Sequence, residues 1–209
     1  AAPATIAFAQ QPSNVIAGAY IFAPIKVEFR DGTGTRLTSV NRIVTIALGA
    51  NPGASTLGGT LSVQSVNGVA VFGNLWLNKS AQGYSLAASS QGLASVVSSG
   101  FNVTPGSPAN MTFTVQPSNG TAGVALSPSP TVSVTDVFGN PASSATGLVQ
   151  ITLAANPGNS GLQGTLQIAL SQGQAAFPDL ALMVPASGYS LRATLNGFSS
   201  ATSSPFNDA

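Results

Sequence analysis

The sequence contains neither cysteine nor histidine, and only 5% of its 209 residues are charged. Without these two residue types, the chain has no disulfide, no thiol nucleophile, no imidazole acid–base group and no Cys/His zinc site. Its net charge of +1 provides no basic surface for nucleic acid. No apolar run approaches the roughly 18 residues that span a bilayer. These absences argue against most enzymes, against nucleic-acid binding and against a membrane-spanning segment.

The chain consists of one sequence unit written twice, at a constant offset of 105 residues. Gln11-Pro12-Ser13-Asn14 recurs from Gln116, and Ala50-Asn51-Pro52-Gly53 recurs from Ala155. The two copies align without a gap, and 42 of the 104 aligned pairs are identical. Such self-similarity indicates a tandem duplication.

The duplication predicts two domains, residues 1–104 and 105–209. The junction between them, residues 104–109, contains Pro105 and Pro108. Two prolines in six residues favour a short and rather stiff linker in an extended conformation.

Each copy has the pattern of an all-β sandwich. Ile25, Val27 and Phe29 alternate with polar residues, which is the period of a half-buried strand. Asn67-Gly68, between two apolar segments, is a favoured two-residue hairpin turn. No segment has a helical period, and about seven short strands per copy are typical of immunoglobulin-like domains. We therefore predict an all-β fold of two tandem immunoglobulin-like β-sandwiches joined by a short Pro-containing linker.

The order of the repeated motifs resembles bacterial Ig-like tandem repeats of secreted and surface proteins, including invasin/intimin-type adhesins. The motifs begin at Gln11, Asp31, Ala50, Gly83 and Phe101, and recur 105 residues later, so the resemblance covers the whole chain. It implies an Ig-like fold and an extracellular, cell-surface location. Repeats of this family serve as stalks, spacers, filament subunits and binding heads, so the resemblance leaves the function open.

Tyr84 and Tyr189 each follow a glycine near the start of a late strand. This position resembles the tyrosine corner of Ig sandwiches, in which the hydroxyl bonds back to nearby backbone. A structural role is predicted for both residues in preference to a catalytic phenol.

The carboxylates are too few and too scattered for a calcium loop, which needs several oxygen ligands within a dozen residues. Asp31 and Asp136 hold matched turn positions, where an Asx-type turn is the expected role. A glycosidase would need two facing carboxylates, and copy 1 has Asn74 where copy 2 has Asp179. The sequence therefore predicts neither a metal site nor the facing carboxylates of a glycosidase.

Serine is abundant, but no histidine is present to activate it. A Lys79-Ser80 pair lies in a predicted loop, and copy 2 replaces it with Val184-Pro185. We therefore expect no enzyme activity, no catalytic residue and no cofactor.

Copy 1 has aromatic residues that its fold does not require. Copy 2 carries Ala125, Ser127 and Ala181 where copy 1 has Tyr20, Phe22 and Trp76. If Leu75 and Leu77 point inward, the tryptophan between them points outward as an interface anchor; the alternative is that it covers an edge of the sandwich. The candidate interface combines three of these rings with basic residues of one predicted strand: Tyr20, Phe22, Lys26, Arg30 and Trp76.

The charges of the two copies have opposite signs. Copy 1 has a net charge of +3 and copy 2 a net charge of −2, which favours head-to-tail association. In the repeat frame Ala209 corresponds to Thr104 and Ala1 to Gly106, so a junction between chains would mimic the internal linker. The same arithmetic fits a two-repeat window of a longer protein.

Two functions follow as hypotheses. The first is a non-catalytic structural subunit of a bacterial surface filament or stalk, which associates head to tail with itself or with neighbouring repeats. The alternative is an adhesin-type module that binds a glycan or a host protein through the exposed aromatics of copy 1. Neither hypothesis involves nucleic acid or a membrane span.

Overall fold

The computed structural model describes residues 2–209, and within them the protein is all-β, with no helix. These residues therefore contain no helix that is long and apolar enough to cross a membrane. The contacts divide the chain into two compact units, Ala1–Gly106 (unit 1) and Ser107–Ala209 (unit 2). The division falls inside the Pro-containing segment 104–109.

Twenty-two strands, most of them short, build the two units. In unit 1 they are β1 (Thr5–Gln10), β2 (Val15–Ile16), β3 (Ile25–Arg30), β4 (Ile43–Leu48), β5 (Leu57–Gly58), β6 (Ser62–Gln64), β7 (Val69–Phe72), β8 (Trp76–Leu77), β9 (Ala81–Tyr84), β10 (Leu86–Ser89), β11 (Val96–Val97) and β12 (Phe101–Thr104). In unit 2 they are β13 (Asn110–Val115), β14 (Thr131–Thr135), β15 (Leu148–Ala155), β16 (Leu162–Gln163), β17 (Gln167–Ala169), β18 (Gln174–Ala176), β19 (Ala181–Leu182), β20 (Ala186–Thr194), β21 (Ala201–Thr202) and β22 (Phe206–Asp208).

Unit 1 is an immunoglobulin-like sandwich. One sheet has the order β1-β3-β7, and all of its pairs are antiparallel. The opposite side comprises the sheets β11-β10-β4-β6 and β2-β12-β9, in which β2 and β12 are parallel. Ser85 alone separates β9 from β10. A small ribbon of β5 and β8 lies beside them.

Unit 2 repeats this architecture. One sheet has the order β13-β14-β18, and the other has the order β17-β15-β20-β21, with β22 also paired to β20. Here β20 runs without interruption through the tyrosine that ends β9 in unit 1. The ribbon of β16 and β19 corresponds to that of β5 and β8.

The apolar residues that alternate along the predicted strands form the core. Ile25, Val27 and Phe29 are all fully buried, and the intervening Lys26 is exposed. In each unit a tyrosine ring packs against a phenylalanine ring, with centroids 6.0 Å apart for Tyr84 and its partner in unit 1 and 6.1 Å apart in unit 2. The prediction of an all-β, Ig-like fold without helix is confirmed for the described residues.

The turn at Asn67-Gly68 forms, but it does not join two paired strands. Both residues have positive φ, 50° and 74°, and Val66 and Val69 exchange two backbone hydrogen bonds across the turn. Beyond the turn, however, β6 pairs with β4 while β7 pairs with β3. The predicted hairpin is therefore a crossing between the two layers, because each strand finds its partner elsewhere in the sandwich.

Candidate functional site

Tyr20 and Phe22 lie on a backbone segment that is held on its inner side. The N–H of Gly18 donates to the carbonyl of Leu77 at 2.7 Å, and the N–H of Ile21 donates to the carbonyl of Leu75 at 2.8 Å. Ile21 is buried, whereas Tyr20 is 62% and Phe22 81% exposed. The alternation of side chains along this segment therefore presents both rings outward.

A shallow cavity of about 340 Å³ lies beside these two rings. Its lining residues are Asn14, Val15, Ile16, Ala19, Tyr20, Phe22 and Thr104. The side-chain oxygen of Asn14 accepts the N–H of Asn102 at 2.8 Å. Within residues 2–209 the amide NH₂ of Asn14 has no hydrogen-bond partner, and it is exposed.

Asn14 and Thr104 belong to this surface, although the sequence did not predict them as part of it. Asn14 is the last residue of the repeated Gln-Pro-Ser-Asn motif, and Thr104 ends β12. The parallel pairing of β2 with β12, which sets Thr104 opposite Ile16, brings them together. A pairing between residues almost ninety positions apart leaves no local signal.

Trp76 is half-buried rather than exposed. Leu75 and Leu77 are fully buried as anticipated, and Trp76 lies opposite Tyr20 in an antiparallel bridge. Its ring, however, lies on the backbone of Gly58, where an added Cβ would be 2.1 Å from Cε2 of the indole. Unit 2 has alanine and Gln163 at the positions of Trp76 and Gly58. The ring of Trp76 thus packs on β5, as the alternative interpretation expects, and its role as an interface anchor stays a prediction.

The basic members of the candidate interface lie on β3. Lys26 is exposed, and Arg30 pairs with Glu28, with 2.8 Å between Nη2 and Oε1. The Glu28 side chain is only 12% exposed, and the pair partly neutralises the arginine. Neither Lys26 nor Arg30 lines the cavity beside Tyr20 and Phe22. The structure therefore does not gather the five predicted residues into one site.

The acidic half of the predicted charge asymmetry does not reach the surface. Asp136 is fully buried and Asp208 is 3% exposed. Asp179 is exposed, and so is Arg192, the one basic residue of unit 2. The surface of unit 2 is thus close to neutral, and this corrects the expectation of an acidic partner surface for unit 1.

Asp31 and Asp136 close matched Asx-type turns. Oδ1 of Asp31 accepts the N–H groups of Thr33 and Thr35, both at 3.0 Å. Oδ1 of Asp136 accepts N–H groups two and four residues further on, at 2.8 and 2.9 Å. The hydrogen bonds from Thr33 lower the pKa of Asp31. The predicted Asx role is confirmed, and residues 2–209 contain no acidic cluster that could hold a metal ion.

Asp179 stabilises the turn that contains Thr165. It accepts the N–H of Thr165 at 2.9 Å and the hydroxyl of Thr165 at 2.7 Å, and these bonds lower the pKa of its carboxyl. Asn74 accepts the N–H of Thr60 in the same way in unit 1. A glycosidase acid requires a raised pKa, so the arrangement at Asp179 is that of a turn and not of a proton donor.

The two tyrosines at matched positions of the repeats anchor the loops before them. The hydroxyl of Tyr84 donates to the carbonyl of Lys79 at 2.8 Å, and that of Tyr189 donates to the carbonyl of Val184 at 2.6 Å. Burial raises the pKa of Tyr84. A Cβ on Gly53 would lie 2.1 Å from the Tyr84 hydroxyl, and the matching glycine of unit 2 is equally close to Tyr189. The Asn-Pro-Gly motif therefore supplies the space that the phenol occupies.

Other retained polar side chains make the same hydrogen bonds in both units. Oε1 of Gln11 accepts the N–H of Ser99 at 2.9 Å, and Oε1 of Gln116 accepts the N–H of Ser204 at 2.8 Å. Further matched pairs join Asn14 to Asn102 and Asn119 to Asn207, Asn51 to Ser55 and Asn156 to Ser160, and Ser98 to Leu86 and Ser203 to Leu191. These residues hold strands and loops together.

Asp208 is the exception, a buried carboxylate without support. Among residues 2–209 neither of its oxygens has a hydrogen-bond partner, and burial raises its pKa. Unit 1 has Val103 at this position and Val15 opposite, where unit 2 has Gly120. A Cβ on Gly120 would lie 2.8 Å from Oδ1 of Asp208. A valine pair has thus been exchanged for an aspartate and the glycine that leaves room for it.

No protein-family model and no curated protein matches this chain. Among solved structures it is similar to a glycosyl hydrolase family 2 member from Bacteroides cellulosilyticus, at 11% identity and a TM-score of 0.43, over 92% of this chain and 23% of that one. It is also similar to domains 4 and 5 of the S-layer protein SbsC, at 11% identity and a TM-score of 0.36, over 98% of this chain and 96% of that one.

A third similar structure is a C-terminal 282-residue fragment of intimin in complex with the intimin-binding domain of the translocated intimin receptor. The identity is 12% and the TM-score 0.33, over 100% of this chain and 64% of that one. The chain spans about a quarter of the length of the glycosyl hydrolase. Similarity at this level says nothing of what this chain binds or catalyses.

Proposed function

We propose that this chain is a non-catalytic structural segment of a bacterial surface filament or stalk, built from tandem Ig-like repeats. The observation that carries this proposal is the matched set of hydrogen bonds in the two units. The side chains of Gln11, Asn51 and Tyr84 and their counterparts 105 residues later hold the same strands and loops. The polar groups that both repeats share at these positions therefore serve the scaffold.

The residues with catalytic potential support the same conclusion. Asp31 and Asp136 are engaged by backbone N–H groups of their own turns, and Asp179 is engaged by Thr165. Enzymes place such groups in clefts with pKa values matched to proton transfer. Here the carboxylates of Asp31 and Asp179 have lowered pKa values, which favour a permanently ionised hydrogen-bond acceptor.

The surface composition supports association with further copies or neighbouring repeats. A net charge near zero promotes association, since little repulsion opposes contact. Several apolar side chains are also exposed, among them Ile43 at 61%, Val66 at 70% and Val97 at 62%. The resemblance of the motif order to bacterial Ig-like surface repeats supports an extracellular location.

Force spectroscopy of the whole chain tests the structural role. Pulling from both ends should give two unfolding events of similar size, each releasing on the order of 300 Å of chain, because about 105 residues extend to roughly 3.3–3.6 Å each. A featureless extension, without force peaks, would contradict a repeat that resists mechanical force.

Electron microscopy with light scattering tests the assembly. At rising concentration, filaments with a regular axial repeat are expected. A monodisperse particle with the mass of one chain at every concentration would remove self-association and leave a stalk segment as the structural role.

Phe22 and Tyr20 favour a second candidate function, a binding module. They are exposed in unit 1 and have no aromatic counterpart in unit 2. Adhesion of the labelled chain to cell monolayers, compared with a Tyr20→Ala/Phe22→Ser variant, tests this candidate. Equal adhesion of the two proteins would exclude it.

A further inference from the structure

The cavity beside Tyr20 and Phe22 is a preorganised surface. Ala17, Gly18 and Ile21 each donate a backbone hydrogen bond, to Thr104 of β12, Leu77 of β8 and Leu75 just before β8, at 2.7 to 2.8 Å. The hydroxyl of Ser13 donates to the carbonyl of Phe22 and connects the residues beside Asn14 to the segment that carries the two rings. Because the backbone is held on both sides, binding here would not require the segment to become ordered.

Unit 2 shows that the scaffold does not need these rings. The N–H of Leu126 donates to the carbonyl of Leu180 at 2.7 Å, as Ile21 does to Leu75 in unit 1. Ser118 bonds to the carbonyl of Ser127 as Ser13 does to that of Phe22. The same backbone arrangement thus forms with alanine and serine at the ring positions.

The chemistry of the lining defines the ligand class. Two exposed rings supply flat apolar faces, while Asn14 supplies a free NH₂ donor and Thr104 supplies a hydroxyl. The lining contains no side chain that is charged at neutral pH. A pyranose has apolar C–H faces that stack on aromatic rings and hydroxyls that bond to amides. Such a lining offers no counter-charge for a phosphate, a sulfate or a uronate.

The size of the cavity agrees with this class. Its volume of about 340 Å³ is at the lower end of the roughly 300–1,000 Å³ of small-ligand sites. A surface of this extent accommodates one or two sugar rings. We propose that Tyr20, Phe22, Asn14 and Thr104 form a binding site for a neutral glycan. This inference rests on the binding function given above as the second candidate.

The test uses the whole chain and four neutral hexasaccharides, of cellulose, maltose, mannan and xylan type, with hexagalacturonate as the acidic comparison. Saturation-transfer NMR and calorimetry should show binding of at least one neutral hexasaccharide, with a dissociation constant on the order of 0.1–1 mM for so shallow a site. Hexagalacturonate should bind at least tenfold more weakly.

Variants locate the binding. Tyr20→Ala/Phe22→Ser, which installs the residues of unit 2, should weaken binding at least tenfold and leave the thermal midpoint unchanged. Val66→Ala removes an equally exposed apolar side chain of unit 1 and should bind like the parent. No neutral binding, preference for hexagalacturonate, or full binding by the double variant would overturn the proposal.

Periodate treatment separates this proposal from the broader one. Periodate oxidises the vicinal diols of glycans and leaves most protein surfaces intact. If adhesion to cells depends on Tyr20 and Phe22 and is abolished by periodate, both proposals are supported. If it depends on the rings but survives periodate, the binding function stands and the glycan ligand is wrong.

Discussion

The hydroxyl of Tyr84 illustrates how single residues hold this fold. It reaches the carbonyl of Lys79 only because Gly53 has no side chain in the space that the phenol occupies. Tyr84, the nearby Lys79 and the sequence-distant Gly53 therefore act as one unit, and the arrangement recurs in unit 2. Its contribution to stability is accessible because Trp76, the one tryptophan of the chain, reports on unit 1 alone.

Tyr84→Phe should lower the free energy of unfolding of unit 1 by about 1–2 kcal/mol, since the part-buried hydrogen bond from the phenol to the carbonyl of Lys79 is lost. Urea unfolding followed by Trp76 fluorescence provides the measurement. Tyr20→Phe, which removes an exposed hydroxyl, is the control and should leave the midpoint in place. Equal midpoints for Tyr84→Phe and the parent would show that this hydrogen bond makes no net contribution to the stability of unit 1.

Asp208 should make unit 2 more stable in mild acid. Its pKa is raised by burial, so the folded state holds the proton more tightly than the unfolded state does. Stability therefore rises as pH falls from 7 towards the unfolded pKa of about 3.9. Asp31 and Asp179 have lowered pKa values and act in the opposite sense, chiefly below about pH 4. Urea unfolding followed by circular dichroism between pH 4.5 and 7 should isolate the effect of Asp208.

Asp208→Val, which installs the residue of unit 1, should stabilise unit 2 at pH 7 by about 1–3 kcal/mol, because it removes an unsatisfied buried carboxylate. The same change should abolish the gain in stability on acidification. A parent and a variant with the same pH profile would mean that the carboxylate is solvated in the folded protein.

At the scale of elements, the turns between layers are the most informative comparison. Asn67-Gly68 in unit 1 corresponds to Gln172-Gly173 in unit 2, and all four residues have positive φ. A Cβ on Gly68 would lie 1.6 Å from the carbonyl oxygen of Leu37, so glycine is required there for space as well as for conformation. Asparagine tolerates the left-handed region better than glutamine does.

Gln172→Asn should therefore stabilise unit 2 by about 0.5 kcal/mol, and Asn67→Gln should destabilise unit 1 by a similar amount. Thermal unfolding of the two single variants beside the parent measures both effects. Shifts of the same sign in the two variants would show that side-chain contacts, and not backbone conformation, decide the preference.

The elements also show where sequence reasoning stops. The alternation in β3 and the turn at residues 67–68 were read correctly, because both depend on neighbours within a few positions. The pairing of β6 with β4 and of β7 with β3 was not, since the same turn geometry serves a hairpin and a crossing between layers. Partner choice depends on the whole sandwich.

At the scale of the molecule, each unit contains the full set of strands and its own core. In unit 2 that core includes Val132, Phe177, Tyr189 and Leu191, and in unit 1 the corresponding set includes Val27, Phe72, Tyr84 and Leu86. Residues 1–106 and 107–209, produced separately, should each unfold cooperatively with a β-type circular dichroism spectrum. A fragment with a disordered spectrum would show that its unit depends on the other.

The duplication, the all-β class and the inward faces of the main strands could be predicted from the sequence, because periodicity and repeat offset are local or directly comparable properties. Which polar and aromatic residues remain at the surface became apparent only from the packing of the folded chain. Trp76 is half-buried because Gly58, eighteen residues away, offers its backbone to the ring, and Asp208 is buried because Gly120 makes room for it. Tyr20 and Phe22 stay exposed because their segment is held through the backbone N–H groups of Gly18 and Ile21, and only the side chain of Ile21 between them is buried. Burial of this kind depends on what the rest of the chain places nearby, and no local pattern records it.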